Sequence, residues 1–311
     1  MKKVVITGAT GMIGRALIKY LLAKDIFILA IVREGSEKIL DMPKHINLRI
    51  VECNLDNIKK LEVLENDYDT FFHFAWDGTF GNLRNEEDIQ SNNIEYTIDA
   101  LNLAKRIGCN TFIGAGSQAE YGRVEGVINQ DTNTNPENFY GKAKLEAGRV
   151  SREIANNENI KHIWTRIFSV YGPYDNEKTM VMSSINKMLF KHESPEYTKG
   201  EQMWDYIYSE DVAKAFYLIG EKGKNNATYC IAQGEAHPLY TYIEQIRNKI
   251  NKDITLKLGV VPYSEKQVMN LRVDIRKLKE DTGFYPEYTF EQGIDKTIKW
   301  CKEGFENNEK N

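Results

Sequence analysis

The sequence predicts an α/β protein with a doubly wound parallel sheet and a smaller mixed α/β lobe towards the C-terminus. Two observations support this fold class. Short continuous apolar runs, such as those at 4–6 and 27–32, are typical of strands that are buried on both faces. Segments with helical apolar spacing separate these runs, as expected when helices cover a parallel sheet. The 311 residues suffice for one large domain or two smaller ones.

The first strand leads into a glycine-rich turn in which Gly8, Gly11 and Gly14 recur every third residue. The first glycine permits a tight turn, the second permits close approach of a pyrophosphate, and the third permits close packing of the next helix. That helix, predicted over 12–23, directs its N-terminal N–H groups at the phosphates. Three such glycines also occur in ordinary turns, but their position between a buried strand and an apolar helix favours a Rossmann-type dinucleotide site. The predicted cofactor contacts from this turn are Gly8, Thr10, Gly11, Met12, Ile13 and Gly14.

The second strand, over 27–32, ends at Arg33, where a dinucleotide fold meets the adenosine ribose. An acidic residue at this point binds the 2′-hydroxyl of NAD, whereas an arginine accommodates the 2′-phosphate of NADP. Arg33, with Ser36 and Lys38 close behind, therefore favours NADP(H) as the cofactor, and NAD(H) is the alternative. A solvated arginine beside Glu34 is the structural alternative for this residue.

Further strands are predicted over 47–51, 69–75 and 111–117, with a long helix over 87–107. The last of these strands delivers Ser117 to its carboxyl end, which is the edge where open α/β sheets bind ligands. Additional cofactor contacts are expected from Asn54, Leu55, Phe74, Ala75, Trp76 and Asn93.

His73 lies inside the apolar strand over 69–75. A histidine in such a run is more often a hydrogen-bonded core residue than a catalyst, and we expect the same here.

A helix predicted over 136–156 carries Tyr140 and Lys144, which are four residues apart and therefore share one helix face. A surface tyrosine and lysine are the alternative, because Y-x-x-x-K often arises by chance. The serine-bearing strand and the glycine turn that precede the pair favour a functional role.

A sixth strand is predicted over 160–167, and beyond it the alternation of elements weakens. We therefore predict a dinucleotide-binding Rossmann domain over 1–168, to which later segments return, and a mainly substrate-binding lobe over 169–311. The elements assigned to the lobe lie at 181–190, 206–208, 209–220, 227–232, 239–250, 254–258 and 290–305. A frayed end is expected at 306–311.

The composition excludes several classes of partner. The formal net charge is −4 and no basic block occurs, which argues against nucleic acid or an anionic membrane as the partner. No apolar run approaches the roughly 20 residues of a membrane-spanning helix, and we expect no signal peptide before the first strand. The four scattered cysteines suggest free thiols in a reducing cytoplasm, and the five histidines show no metal-ligand spacing. The expected location is cytoplasmic, with no metal site.

Three motifs occur in order, at 7–14 (TGATGMIG), 117–122 (SQAEYG) and 140–144 (YGKAK). Together they resemble the extended short-chain dehydrogenase/reductase family, in the epimerase/dehydratase branch that modifies nucleotide sugars. Further similar segments stand at 166–173 (RIFSVYGP) and 204–213 (WDYIYSEDVA). The resemblance spans nearly the whole chain. It implies a homodimer joined by a four-helix bundle, to which the helix from Glu87 would contribute.

The resemblance also implies roles for Ser117, Tyr140 and Lys144, which lie in these motifs. Tyr140 exchanges a proton with the substrate oxygen, and Ser117 aligns that oxygen. Lys144 makes Tyr140 more acidic and holds the nicotinamide ribose. The implied substrate contacts are Ser117, Gln118, Ser169, Trp204 and Arg272.

Two of these substrate positions depart from the family pattern, which often has Asn at Ser169 and Arg at Trp204. Trp204 either contacts the base or sugar or packs in the core. Arg272 either binds the diphosphate bidentately or forms a salt bridge with Asp274 or Glu280.

The two residues after Ser117 reduce the number of reactions that the chain could catalyse. Sugar-nucleotide 4,6-dehydratases of this family have an Asp-Glu pair where Gln118 and Ala119 stand here, and related 3,5-epimerase-reductases have a cysteine at the second of these positions. Neither residue can act as an acid or base. Two reactions remain: reduction of a 4-keto-6-deoxy nucleotide sugar by NADPH, or 4-epimerisation with tightly bound NAD. Arg33 favours reduction, and a non-catalytic dinucleotide sensor is the remote alternative.

Overall fold

A seven-stranded parallel sheet forms the centre of the computed structural model, which describes residues 1–309. The strands of the described residues are β1 (Lys3–Thr7), β2 (Phe27–Val32), β3 (Leu48–Glu52), β4 (Thr70–His73), β5 (Thr111–Ser117), β6 (Lys161–Ile167), β7 (Ser169–Tyr171), β8 (Met203–Trp204), β9 (Tyr206–Tyr208), β10 (Thr228–Ile231) and β11 (His237–Pro238). The order in the main sheet is β10-β6-β5-β4-β1-β2-β3. The order reverses between β1 and β4, where doubly wound sheets bind ligands. The predicted fold class is confirmed.

Helices cover both faces of this sheet. The α-helices of the described residues are α1 (Met12–Leu22), α2 (Glu87–Arg106), α3 (Phe139–Asn157), α4 (Met180–Ile185), α5 (Ser209–Lys222), α6 (Leu239–Ile250), α7 (Arg276–Thr282) and α8 (Phe290–Glu309). Val4 and Ile6 pack into one core cluster with residues of α1 and α5, and Val5 packs into the opposite cluster with residues of α2 and α3. The two-residue side-chain period of the strand thus buries apolar residues on both faces, as the continuous apolar runs predict.

The strand β10 lies at the edge of the main sheet, where it pairs in parallel with β6. The helix α5 leads directly into β10 and packs against α1. The assignment of 209–220 and 227–232 to the C-terminal lobe is therefore wrong. Apolar periodicity identifies a helix and a strand. It does not show which sheet the strand joins or which lobe the helix packs against when a long segment separates them from the earlier elements.

The smaller lobe is built mainly from α4, α6 and α8, which share an apolar cluster that includes Met182, Ile246 and Ile294. It begins with β7, immediately after β6 ends, so it starts at the carboxyl edge of the sheet. Only an isolated bridge between Glu196 and Lys257 forms in the predicted segment 254–258. The helix α8 continues to Glu309, and residues 310–311 of the predicted frayed end lie outside the described part.

All four cysteines are buried and free, as predicted for the thiols. None of the helices in the described part of the chain combines the length and apolar character that a membrane span requires.

Candidate active site

A cleft of about 690 Å³ opens at the carboxyl ends of β1, β2 and β4, a volume in the usual range for small-molecule sites. It is lined by these predicted cofactor residues: Gly8, Thr10, Gly11, Arg33, Asn54, Leu55, Phe74, Ala75 and Trp76. Ser36 and Lys38 line it as well. The structure therefore brings the glycine turn and the end of β2 into one cleft.

The three glycines of the turn have the three different geometries that the motif requires. Gly8 has a φ of +67°, and a Cβ there would lie 2.7 Å from the backbone nitrogen of Ala75. A Cβ on Gly14 would lie 2.4 Å from the carbonyl oxygen of Gly8. Gly11 has only an ordinary contact at 3.4 Å, so its open side faces the cleft. Gly11 is also the N-cap of α1 and provides no capping side chain, which leaves the helix N-terminus open to an anion.

Six predicted cofactor residues lie outside the lining of this cleft, and two of them, Tyr140 and Lys144, are described below. Met12 lines a separate pocket beside α1, and Ile13 packs against the core. Gly14 contacts the turn, as described above. Asn93 is buried, and its amide bonds both the N–H and the carbonyl of Asp77, at 2.8 and 3.0 Å, and the carbonyl of Ile89 at 2.8 Å. Asn93 thus holds the loop after β4, and direct contact between Asn93 and a cofactor stays a prediction.

Ser117, Tyr140 and Lys144 come together at the carboxyl end of β5. Ser117 is the last residue of that strand, and Tyr140 and Lys144 lie buried on the first turns of α3, which Asn138 caps. The Lys144 ammonium donates to the carbonyl of Ala115 at 2.6 Å. It also lies 3.6 Å from the centre of the Trp76 ring and 5.8 Å from that of Tyr140.

Burial shifts the pKa values of both Tyr140 and Lys144. Burial raises the pKa of Tyr140 and Glu120 adds to the rise, while a hydrogen bond with Ser117 and the charge of Arg84 lower this pKa. Burial lowers the pKa of Lys144 to about 7, and Arg84 also lowers it. Lys144 is not among the groups that shift the pKa of Tyr140, and its ammonium is directed at Ala115. Acidification of Tyr140 by Lys144 stays a prediction.

His73 is a core residue, as predicted. Its Nδ1 lies 2.9 Å from the hydroxyl of Thr7, and its Nε2 lies 3.4 Å from that of Thr97. Burial lowers the pKa of His73 to about 3, so the ring is neutral at physiological pH.

Comparison with known proteins decides the family. Residues 4–232 match the model of the NAD dependent epimerase/dehydratase family. The chain belongs to this family.

The family includes relatives with three different reactions. The dTDP-4-dehydro-6-deoxyglucose reductase of Escherichia coli is 26% identical, with 95% of this chain and 96% of the relative aligned. The UDP-N-acetylglucosamine 4-epimerase of Methanobrevibacter ruminantium M1 is 25% identical with a TM-score of 0.87, over 97% of this chain and 99% of that structure. A dTDP-glucose 4,6-dehydratase of Bacillus anthracis in complex with NAD shares the fold, at 20% identity and a TM-score of 0.85 over 98% of each chain.

A nicotinamide dinucleotide suits the site of this family member. The open N-terminus of α1 and the unobstructed side of Gly11 accommodate a pyrophosphate, and the cleft extends from there to Trp76. Within the described residues, no three His, Cys, Asp or Glu side chains are grouped so as to hold a metal ion.

Several of the predicted substrate residues carry polar groups that are not engaged with other described residues. Gln118 Oε1 and Trp204 Nε1 are buried and have no hydrogen-bond partner among the described residues. Ser169 is half-buried at the start of β7. Arg272 is exposed, and the structure shows no ion pair for it within residues 1–309, because Asp274 instead bonds Arg276 at 2.8 Å. A substrate role for these residues stays a prediction.

Two further side chains, Glu120 and Arg84, contact Ser117 and Tyr140 but are not among the residues predicted from the sequence. Glu120 bonds the backbone N–H of Ser117 at 2.9 Å, which completes a capping box with that serine. The S-x-x-E spacing at 117–120 is a recognised signal of this arrangement. Arg84 lies over the ring of Tyr140, with 4.2 Å between its Cζ and the ring centre. No local pattern could have revealed this contact, because 55 residues separate the two positions.

Proposed function

We propose that this protein is an NADPH-dependent reductase that converts a 4-keto-6-deoxy nucleotide sugar to a deoxyhexose nucleotide. The observation that supports a redox reaction at one carbon is the convergence of Ser117, Tyr140 and Lys144 beside the cleft. Of the three reaction types among its relatives, reduction and 4-epimerisation need no further acid or base, whereas dehydration does.

Each of the three side chains has a task in this reaction. The Ser117 hydroxyl aligns the ketone oxygen, and the Tyr140 phenol donates a proton to that oxygen as it gains negative charge. Lys144, fixed by Ala115 and Trp76, holds the nicotinamide ribose. When bound, the reduced nicotinamide supplies the hydride for the carbonyl carbon.

The chain lacks the acid and base that dehydration needs. Gln118 and Ala119 stand where 4,6-dehydratases have their Asp-Glu pair. The next acidic residue, Glu120, has no exposed surface and is engaged with Arg166 at 2.7 Å. Glu120 is therefore not available for proton exchange with a sugar, which supports reduction over dehydration.

The end of β2 supports NADPH as the reductant. Arg33, Ser36 and Lys38 line the same cleft, and two cations and a hydroxyl suit a 2′-phosphate. Arg33 also contacts Asp77 at 2.7 Å across the cleft, and both side chains are exposed enough to rearrange. A 2′-phosphate would compete with this carboxylate for the guanidinium.

The test is incubation of the purified protein with NADPH and a panel of 4-keto-6-deoxy nucleotide sugars. We expect loss of the reduced-nicotinamide absorbance with at least one sugar, and a loss about a hundredfold or more slower with the Tyr140→Phe variant. Unchanged absorbance across the panel would count against the proposal.

A nucleotide-sugar 4-epimerase is the second candidate. The structural similarity to a 4-epimerase and the contact of Arg33 with Asp77, which occupies the guanidinium expected to bind a 2′-phosphate, favour it. It predicts NAD that remains bound through purification and product formation without added cofactor. Mass spectrometry of small molecules released by denaturation separates the two candidates.

We also propose a cytoplasmic homodimer joined through α2 and α3. Ile94 and Ile98 of α2 are only half-buried in the single chain, so they leave apolar surface for a second copy. Light scattering on the purified protein measures its mass directly, and a monomer at micromolar concentration would refute the dimer.

A further inference from the structure

Arg84 lies on the short 3₁₀ turn Gly81–Asn85, between β4 and α2. Its guanidinium carbon is 4.2 Å from the centre of the Tyr140 ring. The arginine is half-buried, and within residues 1–309 its side chain has neither a hydrogen bond nor an ion pair. An arginine charge over an aromatic face, with no acidic partner, leaves that face as its main electrostatic contact.

The backbone that carries Arg84 is fixed by a buried glutamine. Gln90 donates from Nε2 to the carbonyl oxygens of Leu83 and Gly78, at 2.8 and 2.9 Å. The same side chain accepts from Trp76 Nε1 at 2.9 Å. Trp76 in turn lies under the Lys144 ammonium. One glutamine therefore holds both the turn that bears Arg84 and the ring beside the catalytic lysine.

Four groups that bear charge or a polar hydrogen face the Tyr140 phenol from the elements packed around it. They are Ser117 from the end of β5, Glu120 from the turn after β5, Lys144 from the same helix, and Arg84. Lys144 is engaged with Ala115, and the negative charge of Glu120 is compensated by Arg166. Arg84 is the cation nearer to the centre of the Tyr140 ring, at 4.2 Å against 5.8 Å for Lys144, and its charge lowers the pKa of Tyr140.

We propose that Arg84 is a positioning residue whose guanidinium stabilises the phenolate form of Tyr140 and so sets the pH range over which this residue exchanges its proton. The attraction between a cation and an aromatic ring becomes stronger when the ring carries a negative charge, and burial of Tyr140 limits the screening by water. The proposal rests on the proposed function only in taking Tyr140 as the proton-exchanging group.

The test replaces Tyr140 by 3-fluorotyrosine, whose phenol is more acidic, and follows its ionisation by fluorine NMR as the pH is raised. This readout needs neither substrate nor turnover. We expect Arg84→Gln to move the midpoint upward by about one pH unit, as loss of a nearby opposite charge does. Arg84→Lys keeps the charge and should recover at least half of the shift.

Arg149→Gln is the matched control, because Arg149 lies on the same helix but is exposed and bonded to Glu146. It should leave the midpoint unchanged. Thermal melting establishes that each variant is folded. If Arg84→Gln does not fold, Arg84→Met replaces it as the uncharged variant. An unchanged midpoint in a folded, uncharged variant overturns the proposal. Absence of turnover on every sugar would refute the proposed reductase and leave this titration to decide the role of Arg84.

Discussion

The Glu120 carboxylate accepts a hydrogen bond from the Arg166 guanidinium at 2.7 Å, and the glutamate has no exposed surface. Its other oxygen accepts from Trp164 Nε1 at 3.0 Å and from the Ser117 N–H at 2.9 Å. One carboxylate thus joins the end of β5, which bears Ser117, to the neighbouring strand β6. Both oxygens of the buried carboxylate therefore accept hydrogen bonds and its charge is paired with that of Arg166. A charged group can be buried in a protein only when it is paired and hydrogen-bonded in this way.

Glu120→Gln should therefore be strongly destabilising. The substitution leaves the Arg166 charge buried without its counter-ion, and such a loss typically costs about 3–5 kcal/mol. Urea denaturation measures the change. Glu137→Gln, which breaks an exposed pair with Arg123, is the control and should have a much smaller effect. Equal effects of the two substitutions would contradict the role of Glu120.

Substitutions at two glycines of the turn should affect different properties, namely stability at Gly14 and dinucleotide binding at Gly11. Gly14→Ala places a methyl group 2.4 Å from the Gly8 carbonyl and should lower the free energy of unfolding, because backbone atoms must move. Gly11→Ala meets only an ordinary contact, so the fold should persist while dinucleotide affinity falls by about tenfold or more. Gly126→Ala, which meets nothing within 4 Å, is the control. Denaturation and calorimetric titration with NADPH and NAD distinguish these outcomes.

Tyr140→Phe should reduce turnover by a factor of about 10²–10⁴, the usual contribution of a positioned acid, and leave dinucleotide affinity nearly unchanged. Tyr68→Phe is the matched control, since the Tyr68 hydroxyl is buried without a hydrogen-bond partner in the described structure. Steady-state kinetics on the active sugar, together with dinucleotide titration, provide the measurement. Full activity of Tyr140→Phe would remove this residue from the mechanism.

Arg33→Ala should weaken NADPH binding by about tenfold and leave NADH binding little changed, because only the former carries the 2′-phosphate. Asp77→Asn should strengthen NADPH binding, since it releases Arg33 from its 2.7 Å contact. Arg49→Ala, at a pair with Glu65 outside the cleft, is the control. Isothermal titration with both dinucleotides decides the question, and equal losses for both would favour NAD as the natural cofactor.

Acid should destabilise the protein through His162. Burial lowers the pKa of His162 to about 3, from an ordinary value of 6.5. The unfolded chain then binds the proton more readily, so stability is fully present above pH 6.5 and is lost as the pH falls towards 3. His162→Phe removes this titration and keeps a ring between Phe112 and Trp164.

Urea denaturation of both proteins between pH 7 and about pH 4.5 measures the effect. The stability of the wild type relative to His162→Phe should fall by about 2 kcal/mol over this range. A difference that stays constant with pH would show that His162 does not titrate in this way. His45→Phe is the control, because that histidine lies on the surface.

Much of the site was predictable because its signals are local. Gly8, Gly11 and Gly14 follow a buried strand, and Tyr140 and Lys144 share a helix face by their spacing alone. The carboxyl ends of parallel strands meet at one edge, so a strand that ends at Ser117 delivers this residue to the ligand side. Even Glu120 had a local signal, in its capping-box spacing from Ser117.

The electrostatic balance of the site was not predictable in this way. A lysine one turn from a tyrosine suggests direct stabilisation of the phenolate, whereas in the structure Lys144 is held by Ala115 and Trp76, and both ionisable groups are buried. The cation nearest to the centre of the Tyr140 ring is Arg84, which comes from a turn between β4 and α2. Charge interactions depend on distance and burial, and neither is a property of sequence spacing.

The order of apolar runs and glycines in the sequence determined by itself that the chain forms a doubly wound sheet with a dinucleotide turn, because side-chain periodicity and backbone freedom act within a few residues. Only the tertiary structure decided that β10 returns to the sheet edge, that Glu120 is locked to Arg166, and that Arg84 covers Tyr140. Those contacts join distant segments, and their energies arise from the desolvation and packing that folding creates.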